Sequence, residues 1–284
     1  MKNRITKAMI IDTMKADYTL FYNPMPEEWK TIIPVVTIDF LSECGLHFTE
    51  KHTGKMAGMQ SLSTTCKCND LCIGRIENAL KKADPNFNPN SKDAKKKAKK
   101  AIRKALKEDP YRQDISICGF CFSDSQQDYQ TSMINPLARN FEILNNGIID
   151  SDWLPIVNAL YFRFESFGDF ASVNSVINCF NFCRKNSHTN CAAWTKNPYF
   201  FKKAILKGYQ KPENLNCILS SQYINRIADI DYDLIGIFDK TFSVFTYEMS
   251  EENAIKINCG ARSCLSCLRC YRKNSETEIF ELLK

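Results

Sequence analysis

Short apolar runs alternate with amphipathic segments along the second half of the chain. The apolar runs lie at residues 157–164, 191–195, 215–221, 233–238 and 242–247, and helix-like segments lie between the first three of them at 173–186 and 197–209. The connections are too long for hairpins, which favours parallel strands joined by right-handed crossovers. The pattern predicts an α/β fold with a parallel sheet, either open or forming a partial, irregular (β/α) barrel.

The first half of the chain is less regular. It has a strand-like apolar run at residues 32–40 and a helical pattern at 126–146, in which Pro136 indicates a break or a late start. Because no linker rich in Pro, Gly or Ser divides the chain, we expect a single domain over residues 1–284. Residues 73–114 form a lysine-rich helical insertion in this scheme.

Composition limits the class of protein. Hydrophobic residues make up 44% of the chain, which is enough for a sizeable core. No apolar run approaches the roughly 18 residues of a membrane span, and the N-terminus lacks the apolar core of a signal peptide. The 14 cysteines are bunched at metal-ligand spacings rather than spread as in a secreted disulfide scaffold. We therefore expect a cytoplasmic protein with reduced thiols and no membrane partner.

Much of the net charge of +6 comes from residues 91–109, where Ser91 is a candidate N-cap and Pro110 a stop. A weak apolar face is formed by Ala98, Ile102, Ala105 and Leu106. Two interpretations remain open, an exposed helix of the insertion and a nucleic-acid contact. The candidate phosphate-binding residues are Lys95, Lys96, Lys97, Lys99, Lys100, Arg103 and Lys104.

The strongest chemical signal is the C-terminal segment 259–272. It carries four cysteines at intervals of five, three and three residues, Cys259, Cys264, Cys267 and Cys270. A zinc ribbon normally separates its two cysteine pairs by a longer spacer, whereas spacings of this kind are typical of loops that wrap an iron–sulfur cluster. Nearby arginines would offset the negative charge of the thiolates. The segment predicts a metal site, with a 4Fe–4S cluster favoured and zinc as the alternative.

A second set of cysteines flanks the lysine-rich insertion. It comprises Cys66, Cys68, Cys72, Cys118 and Cys121. Five thiols are one more than a cluster needs, so the sequence leaves open which of them bind metal, and one or two metal centres are expected overall. The spacing of Cys68 and Cys72 matches the start of the radical-SAM motif C-x3-C-x2-C, but Arg75 stands where the third cysteine should be. The other cysteines of the α/β region, Cys179, Cys183, Cys191 and Cys217, are expected in the core.

Polar residues that follow the predicted strands are candidates for chemistry, because ligands of parallel sheets bind at the carboxyl ends of the strands. We selected Arg163, Glu165, Asp169 and Lys196 as candidate catalytic residues. Motifs of zinc proteases, serine hydrolases, Walker loops and dinucleotide-binding folds are absent from the sequence.

Several segments in order resemble the phage "gene product 88" family, which occurs in bacteriophages and other mobile elements. They are residues 51–66, Cys121 to Ser123, Arg139 with Asn140, the stretch from Arg163 to Phe170, residues 194–196 and the cysteine-rich segment 259–270. The resemblance covers about residues 51–270. This chain departs from it with Glu165 where the family tends to carry histidine, with Phe167 inserted before Gly168, and with the insertion at 73–114.

The resemblance implies a phage-type protein in the host cytoplasm, with a distant likeness to the radical-SAM barrel. Two functions follow as hypotheses. One is a cluster-dependent enzyme acting on a small molecule or nucleoside. The other is a binding protein without catalytic activity, in which the metal centres only stabilise the fold. Its partner would be nucleic acid or a host defence protein. The sequence does not fix the oligomeric state.

Overall fold

A computed structural model describes residues 46–283, apart from residues 51, 150, 152 and 153. The strand predicted at 32–40 lies outside the described residues. Within these described residues, seven strands form one sheet in which the spatial order follows the chain order, and every pairing is parallel except that of the first two strands. The strands are β1 Phe48–Thr49, β2 Gln60–Leu62, β3 Tyr161–Phe164, β4 Asn190–Thr195, β5 Leu215–Ser220, β6 Lys240–Phe245 and β7 Glu278–Leu282.

Eight α-helices accompany the sheet in the described part of the chain. They are α1 Asp70–Ala83, α2 Lys92–Glu108, α3 Phe122–Tyr129, α4 Ile134–Asn146, α5 Val173–Lys185, α6 Pro198–Leu206, α7 Tyr247–Glu252 and α8 Cys264–Cys267. Short 3-10 helices lie at Gly54–Met56, Ile117–Phe120, Thr131–Met133 and Tyr232–Leu234. The α/β class and the parallel pairing predicted from the sequence are confirmed. Over the described residues, no helix has the length and apolar character needed to cross a bilayer.

The predicted helix at 126–146 is two helices, α3 and α4, with a 3-10 turn between them. Pro136 is the third residue of α4, where its missing N–H would have had no partner within the helix. The helix predicted at 173–186 is α5, and its start is fixed by a capping box in which the Ser172 hydroxyl accepts from the Ser175 N–H and the Ser175 hydroxyl accepts in return.

One face of the sheet carries the main apolar core. Phe162 and Phe164 of β3 are buried there against Phe182 of α5, with ring centroids 4.7 and 5.3 Å from it. Helices α4, α5 and α6 cover this face. The expectation that Cys179, Cys183, Cys191 and Cys217 pack in the core is confirmed.

The opposite face of the sheet is covered by the C-terminal cysteine segment. Leu268 and Tyr271 of this segment pack with Ala192, Ile218 and Ile279 of three strands. The Tyr271 ring also contacts Tyr161 and Trp194 edge-on, at centroid distances of 5.7 and 6.1 Å. The C-terminal thiols thus lie against one face of the sheet, and helices α4, α5 and α6 lie against the other.

Helix α2 packs on α1 through the predicted apolar face. Ala98, Ile102 and Leu106 are buried against Ile76 and Leu80. Ser91 caps the helix as predicted, because its hydroxyl accepts from the Ala94 N–H at 3.2 Å. The helix is less solvated than expected, however, since one of its lysines, Lys95, is only 4% exposed.

Candidate metal centres

The fold brings together four of the five cysteines in the N-terminal set. Cys66 follows β2, Cys72 lies in the first turn of α1, and Cys118 and Cys121 lie in and after the 3-10 helix at 117–120. The Cys66 and Cys121 thiols lie close enough for each to shift the pKa of the other. Cys72 is close enough to Cys118 and Cys121 for their charges to raise its pKa, although burial is the larger cause. Segments on the two sides of α2 therefore meet in one group of thiols, hereafter the edge thiols.

The fifth cysteine of that set, Cys68, has a different environment. Its side chain is fully buried and packs with Ile134 and Ala138 of α4 in a separate apolar cluster. The structure thus distinguishes Cys68 from the edge thiols, which the spacing alone did not.

Local hydrogen bonds fix the positions of the edge thiols. Asn69 caps α1 by accepting from the Leu71 and Cys72 N–H groups at 3.0 and 3.3 Å, and its amide donates to the Asp169 carbonyl at 2.9 Å. Asn69 therefore ties the helix that carries Cys72 to the loop after β3. An Asn directly before a helical pattern is a capping signal, so this residue could have been recognised in the sequence.

Gly119 allows the loop with Cys118 to approach α2 closely. A Cβ atom at this position would lie 2.6 Å from Cδ1 of Ile102. Ser116 supports the same loop, because its hydroxyl accepts from the Cys118 N–H at 3.2 Å. The lysine-rich helix thus forms part of the support of the edge thiols.

The edge thiols differ in acidity. The interaction with the Cys121 thiol and then burial raise the pKa of Cys66, and burial raises that of Cys118. The interaction with the Cys66 thiol lowers the pKa of Cys121 to about 7, against the effect of burial. The Asp124 N–H also donates to the Cys121 sulfur at 3.4 Å. Cys121 is therefore the more acidic thiol of the pair.

Charged residues surround the edge thiols at the carboxyl end of β4. Asp169 accepts from the Thr195 hydroxyl at 2.6 Å and from the Lys196 N–H at 3.0 Å. Arg75 donates to the Lys196 carbonyl at 3.1 Å and to the Asn197 side chain at 2.6 Å. The positive charge of Lys196 lowers the pKa of Cys118 and partly opposes burial. Two predicted catalytic residues, Asp169 and Lys196, are thus placed beside the thiols.

The other two predicted catalytic residues lie elsewhere. Arg163 points to the opposite face, where its guanidinium stacks on the Trp194 ring at 4.0 Å and Nη1 approaches the Met56 sulfur at 3.3 Å. Glu165 is 6% exposed and accepts from the Thr64 N–H and hydroxyl at 3.0 and 2.9 Å. Burial raises the pKa of Glu165 to about 7. The structure therefore does not assemble the four residues into one pocket.

A buried ion-pair network lies next to Cys121, and no pattern in the sequence indicates it. Lys67 contacts Asp124 and Asp128 at 2.6 Å each, and Lys95 of α2 contacts the same two carboxylates. The positive charges hold the pKa of Asp124 well below its usual range, although burial alone would raise it. Lys95 was a candidate nucleic-acid contact in the sequence, but its buried ammonium group is paired with these carboxylates.

The C-terminal cysteines form the second group of thiols, hereafter the face thiols. The charges of Cys259, Cys264 and Cys267 add to burial in raising the pKa of Cys270 to about 12, and the charge of Arg163 lowers it. Lysine and arginine side chains contact two of the other three thiols. Lys55 Nζ lies 3.4 Å from the Cys259 sulfur, and Arg269 Nη1 lies 3.6 Å from the Cys267 sulfur. The predicted four residues thus form one group with cations around it.

Neither group is arranged as the closed ligand set of a single ion. Within the described part of the chain, no three Cys, His, Asp or Glu side chains are positioned to bind one metal ion. Tetrahedral zinc requires four ligands at about 2.0–2.3 Å from a common centre. The donor chemistry nevertheless suits thiolate-bound metal, because each group offers several thiols with cations beside them.

Comparisons of the chain with models of protein families, with curated proteins and with solved structures found no match. The likeness to the phage family therefore depends on the sequence segments given above.

Proposed function

We propose that the protein is an iron–sulfur protein with two thiolate-bound clusters, and that the cluster at the edge thiols serves an enzymatic reaction on a small molecule or nucleoside. The proximity of Cys66 and Cys121 carries the proposal, because it brings together thiols from both sides of the lysine-rich insertion. The proposed ligands of this cluster are Cys66, Cys72, Cys118 and Cys121.

The position of the edge thiols supports a role in chemistry. They lie beyond the carboxyl ends of the parallel strands, where α/β proteins bind their ligands. Asp169 and Lys196 are held there by defined hydrogen bonds. An iron–sulfur cluster in this position would supply electron transfer or an open iron site, and these two side chains would bind and orient the substrate. Strands that follow one another in chain order are consistent with a partial (β/α) barrel of radical-SAM-like architecture.

The face thiols are proposed to hold a structural cluster. Their segment fills the sheet face around Tyr271, which is 4% exposed and contacts Tyr161 and Trp194. Arg163 and Lys55 would offset the thiolate charge at this cluster. In this proposal the protein acts in the cytoplasm of a phage-infected host, as the family resemblance implies.

The test is metal analysis of protein purified without oxygen. The expected sample is brown, absorbs near roughly 400 nm and contains iron and acid-labile sulfide. Cys72→Ala and Cys267→Ala should each remove the iron of one cluster, about half of the total. Cys68→Ala is the matched control and should keep all of it, because Cys68 packs with Ile134 and Ala138. Colourless protein with stoichiometric zinc would refute the iron–sulfur proposal, and loss of iron from the control would refute the ligand assignment.

Nucleic-acid binding is the second candidate function, favoured by the outer face of α2. Five of the seven predicted contact residues are exposed, Lys96, Lys97, Lys100, Arg103 and Lys104. Replacing Lys96, Lys97 and Lys100 with glutamine should reduce the slope of log affinity against log salt by about two to three, since each phosphate contact contributes about 0.7–0.9. A triple Gln variant of Lys203, Lys207 and Lys256, which are exposed elsewhere, is the control. An equal slope in both variants would exclude α2 as the contact surface.

A further inference from the structure

A cleft of about 410 Å³ lies between α1 and α2, beside the edge thiols. Its volume is within the range of roughly 300–1,000 Å³ that is typical of small-molecule sites. Its floor is formed where residues 115–117 run against residues 222–224. The Ile117 N–H donates to the Gln222 carbonyl at 3.0 Å, and the Ile224 N–H donates to the Ile115 carbonyl at 2.9 Å.

The lining of the cleft has an excess of positive charge. Arg75, Lys82 and Arg112 line it together with a single carboxylate, that of Asp114. Both Lys82 and Arg112 contact this carboxylate, at 2.9 and 2.8 Å. The carboxylate of Asp169 lies outside the lining but 3.7 Å from Arg75. Three cations and two carboxylates therefore leave an excess of one positive charge. A phosphate monoester carries about −1.5 to −2 at neutral pH and would be attracted to this excess.

One nitrogen of the Arg75 guanidinium group makes no hydrogen bond to the described part of the protein. This nitrogen, Nη1, is buried. The nearest carboxylate oxygen, Oδ2 of Asp169, is 3.7 Å away. Since guanidinium groups bind phosphate oxygens through two parallel N–H donors, this side chain is suited to a phosphate at the inner end of the cleft.

The ring of Tyr223 and the amide of Gln222 also line the cleft. Tyr223 is 38% exposed, and the Arg226 guanidinium lies 5.2 Å from the centroid of its ring. Tyr223 and Gln222 follow β5, at the edge of the sheet where ligands of parallel sheets bind. A planar base could stack on the tyrosine ring and be recognised through the Gln222 and Asn78 amides, which both line the cleft.

We propose that this cleft binds a nucleoside monophosphate, with the phosphate between Arg75, Lys82 and Arg112 and the base against Tyr223. None of the described residues that line the cleft is a cysteine, so the proposed contacts to the nucleotide do not include a metal ligand. This proposal goes beyond the metal centres. Its test measures nucleotide binding and not metal content, so its failure can be told apart from the failure of the iron–sulfur proposal.

Titration calorimetry of the purified protein with adenosine monophosphate tests the proposal. Binding at or below the order of 1 mM is expected, with adenosine and inorganic phosphate each at least about tenfold weaker, because each lacks one of the recognised groups. No measurable heat with adenosine monophosphate at that concentration would overturn the proposal. Inorganic phosphate that binds as tightly as the nucleotide would overturn the part played by the base.

Two variants locate the site. The double substitution Lys82→Gln with Arg112→Gln should weaken nucleotide binding by about tenfold or more, since it leaves Asp114 uncompensated. Ala101→Leu should also weaken it, because the added side chain occupies the cleft without changing its charge. Lys107→Gln, at an exposed position outside the cleft, is the control for charge. Circular dichroism monitors folding. Unchanged affinity in a folded Ala101→Leu variant would place the nucleotide elsewhere and overturn the proposal.

Discussion

Replacing Glu165 with glutamine should change how the stability of the protein depends on pH. Glu165 is buried with its carboxyl group against Thr64, and desolvation raises its pKa to about 7 from an ordinary 4.5. The folded state therefore binds the proton more tightly than the unfolded state. As pH rises from about 4.5 to about 7, the unfolded chain ionises first, and stability falls through this range.

The magnitude follows from the difference between the two pKa values. At about 1.36 kcal/mol for each pKa unit, a pKa of about 7 instead of 4.5 corresponds to about 3 kcal/mol of lost stability above neutral pH. Between about pH 5.5 and about pH 8.5, roughly 2 kcal/mol of this loss occurs. Glutamine carries no charge, and its carbonyl oxygen can accept the same bonds from Thr64. As pH rises, the free energy of unfolding of Glu165→Gln should therefore increase relative to that of the parent protein. In alkaline buffer the variant should be the more stable of the two.

Urea unfolding of both proteins at several pH values measures the effect. The difference in the free energy of unfolding between Glu165→Gln and the parent should grow by about 2 kcal/mol between about pH 5.5 and about pH 8.5. Glu213→Gln, which removes an exposed carboxylate, is the control and should leave the pH profile of the parent unchanged. A difference between Glu165→Gln and the parent that stays constant across the range would refute the assignment of a buried, desolvated carboxyl group.

Two further pairs of variants test the packing around the edge thiols. Gly168→Ala should lower the free energy of unfolding by about 1–3 kcal/mol, because its Cβ would lie 2.3 Å from Oγ1 and 2.9 Å from the carbonyl oxygen of Thr64. Gly74→Ala, inside α1 with nothing within 4 Å of its Cβ, should raise it by about 0.5–1 kcal/mol in the same urea titration. Lys67→Met should cost about 3–5 kcal/mol by urea unfolding, since it removes one cation from a buried network. Lys82→Met, in an exposed pair with Asp114, should cost less than about 1 kcal/mol. Equal effects of the two glycine variants would contradict the close contact of Gly168 with Thr64. Equal effects of the two lysine variants would contradict the burial of the Lys67 network.

The alternation of apolar runs and amphipathic segments was sufficient to predict the parallel α/β sheet, but not the start of β3. The apolar run begins at residue 157, whereas the strand begins at Tyr161. Val157 is buried like a strand residue, yet its N–H donates to the Asn186 side chain at 2.7 Å and its carbonyl contacts the His188 ring at 2.8 Å. Side chains thus replace a neighbouring strand here. An apolar pattern reports burial and does not identify the hydrogen-bond partner.

The choice among the N-terminal cysteines also required the fold. Spacing placed Cys66, Cys68 and Cys72 in one set with Cys118 and Cys121, but it made the first three equivalent candidates. Cys66 and Cys68 diverge because the chain turns between them, with the Cys68 N–H donating to the Thr65 carbonyl at 3.4 Å. The helix then starts at the Asn69 cap and carries Cys72 back to the edge of the sheet. The spacing identified the candidate thiols. The turn at Cys68 and the helix cap at Asn69 determine that Cys66 and Cys72, and not Cys68, lie with Cys121.

Arg163 and Glu165 show where pattern-based reasoning about a site breaks down. Residues two apart in an extended strand point to the same face, which would place both side chains in one pocket. The strand ends at Phe164, and Glu165 has φ 54°, in the left-handed region that a non-glycine residue rarely adopts. The chain turns there, so Arg163 faces Trp194 and the face thiols while Glu165 turns back onto Thr64. Because Glu165 is enclosed and Arg163 lies on the far face, the reaction proposed at the edge thiols would have to depend on other groups. Asp169 and Lys196 are the two predicted residues in position to supply them.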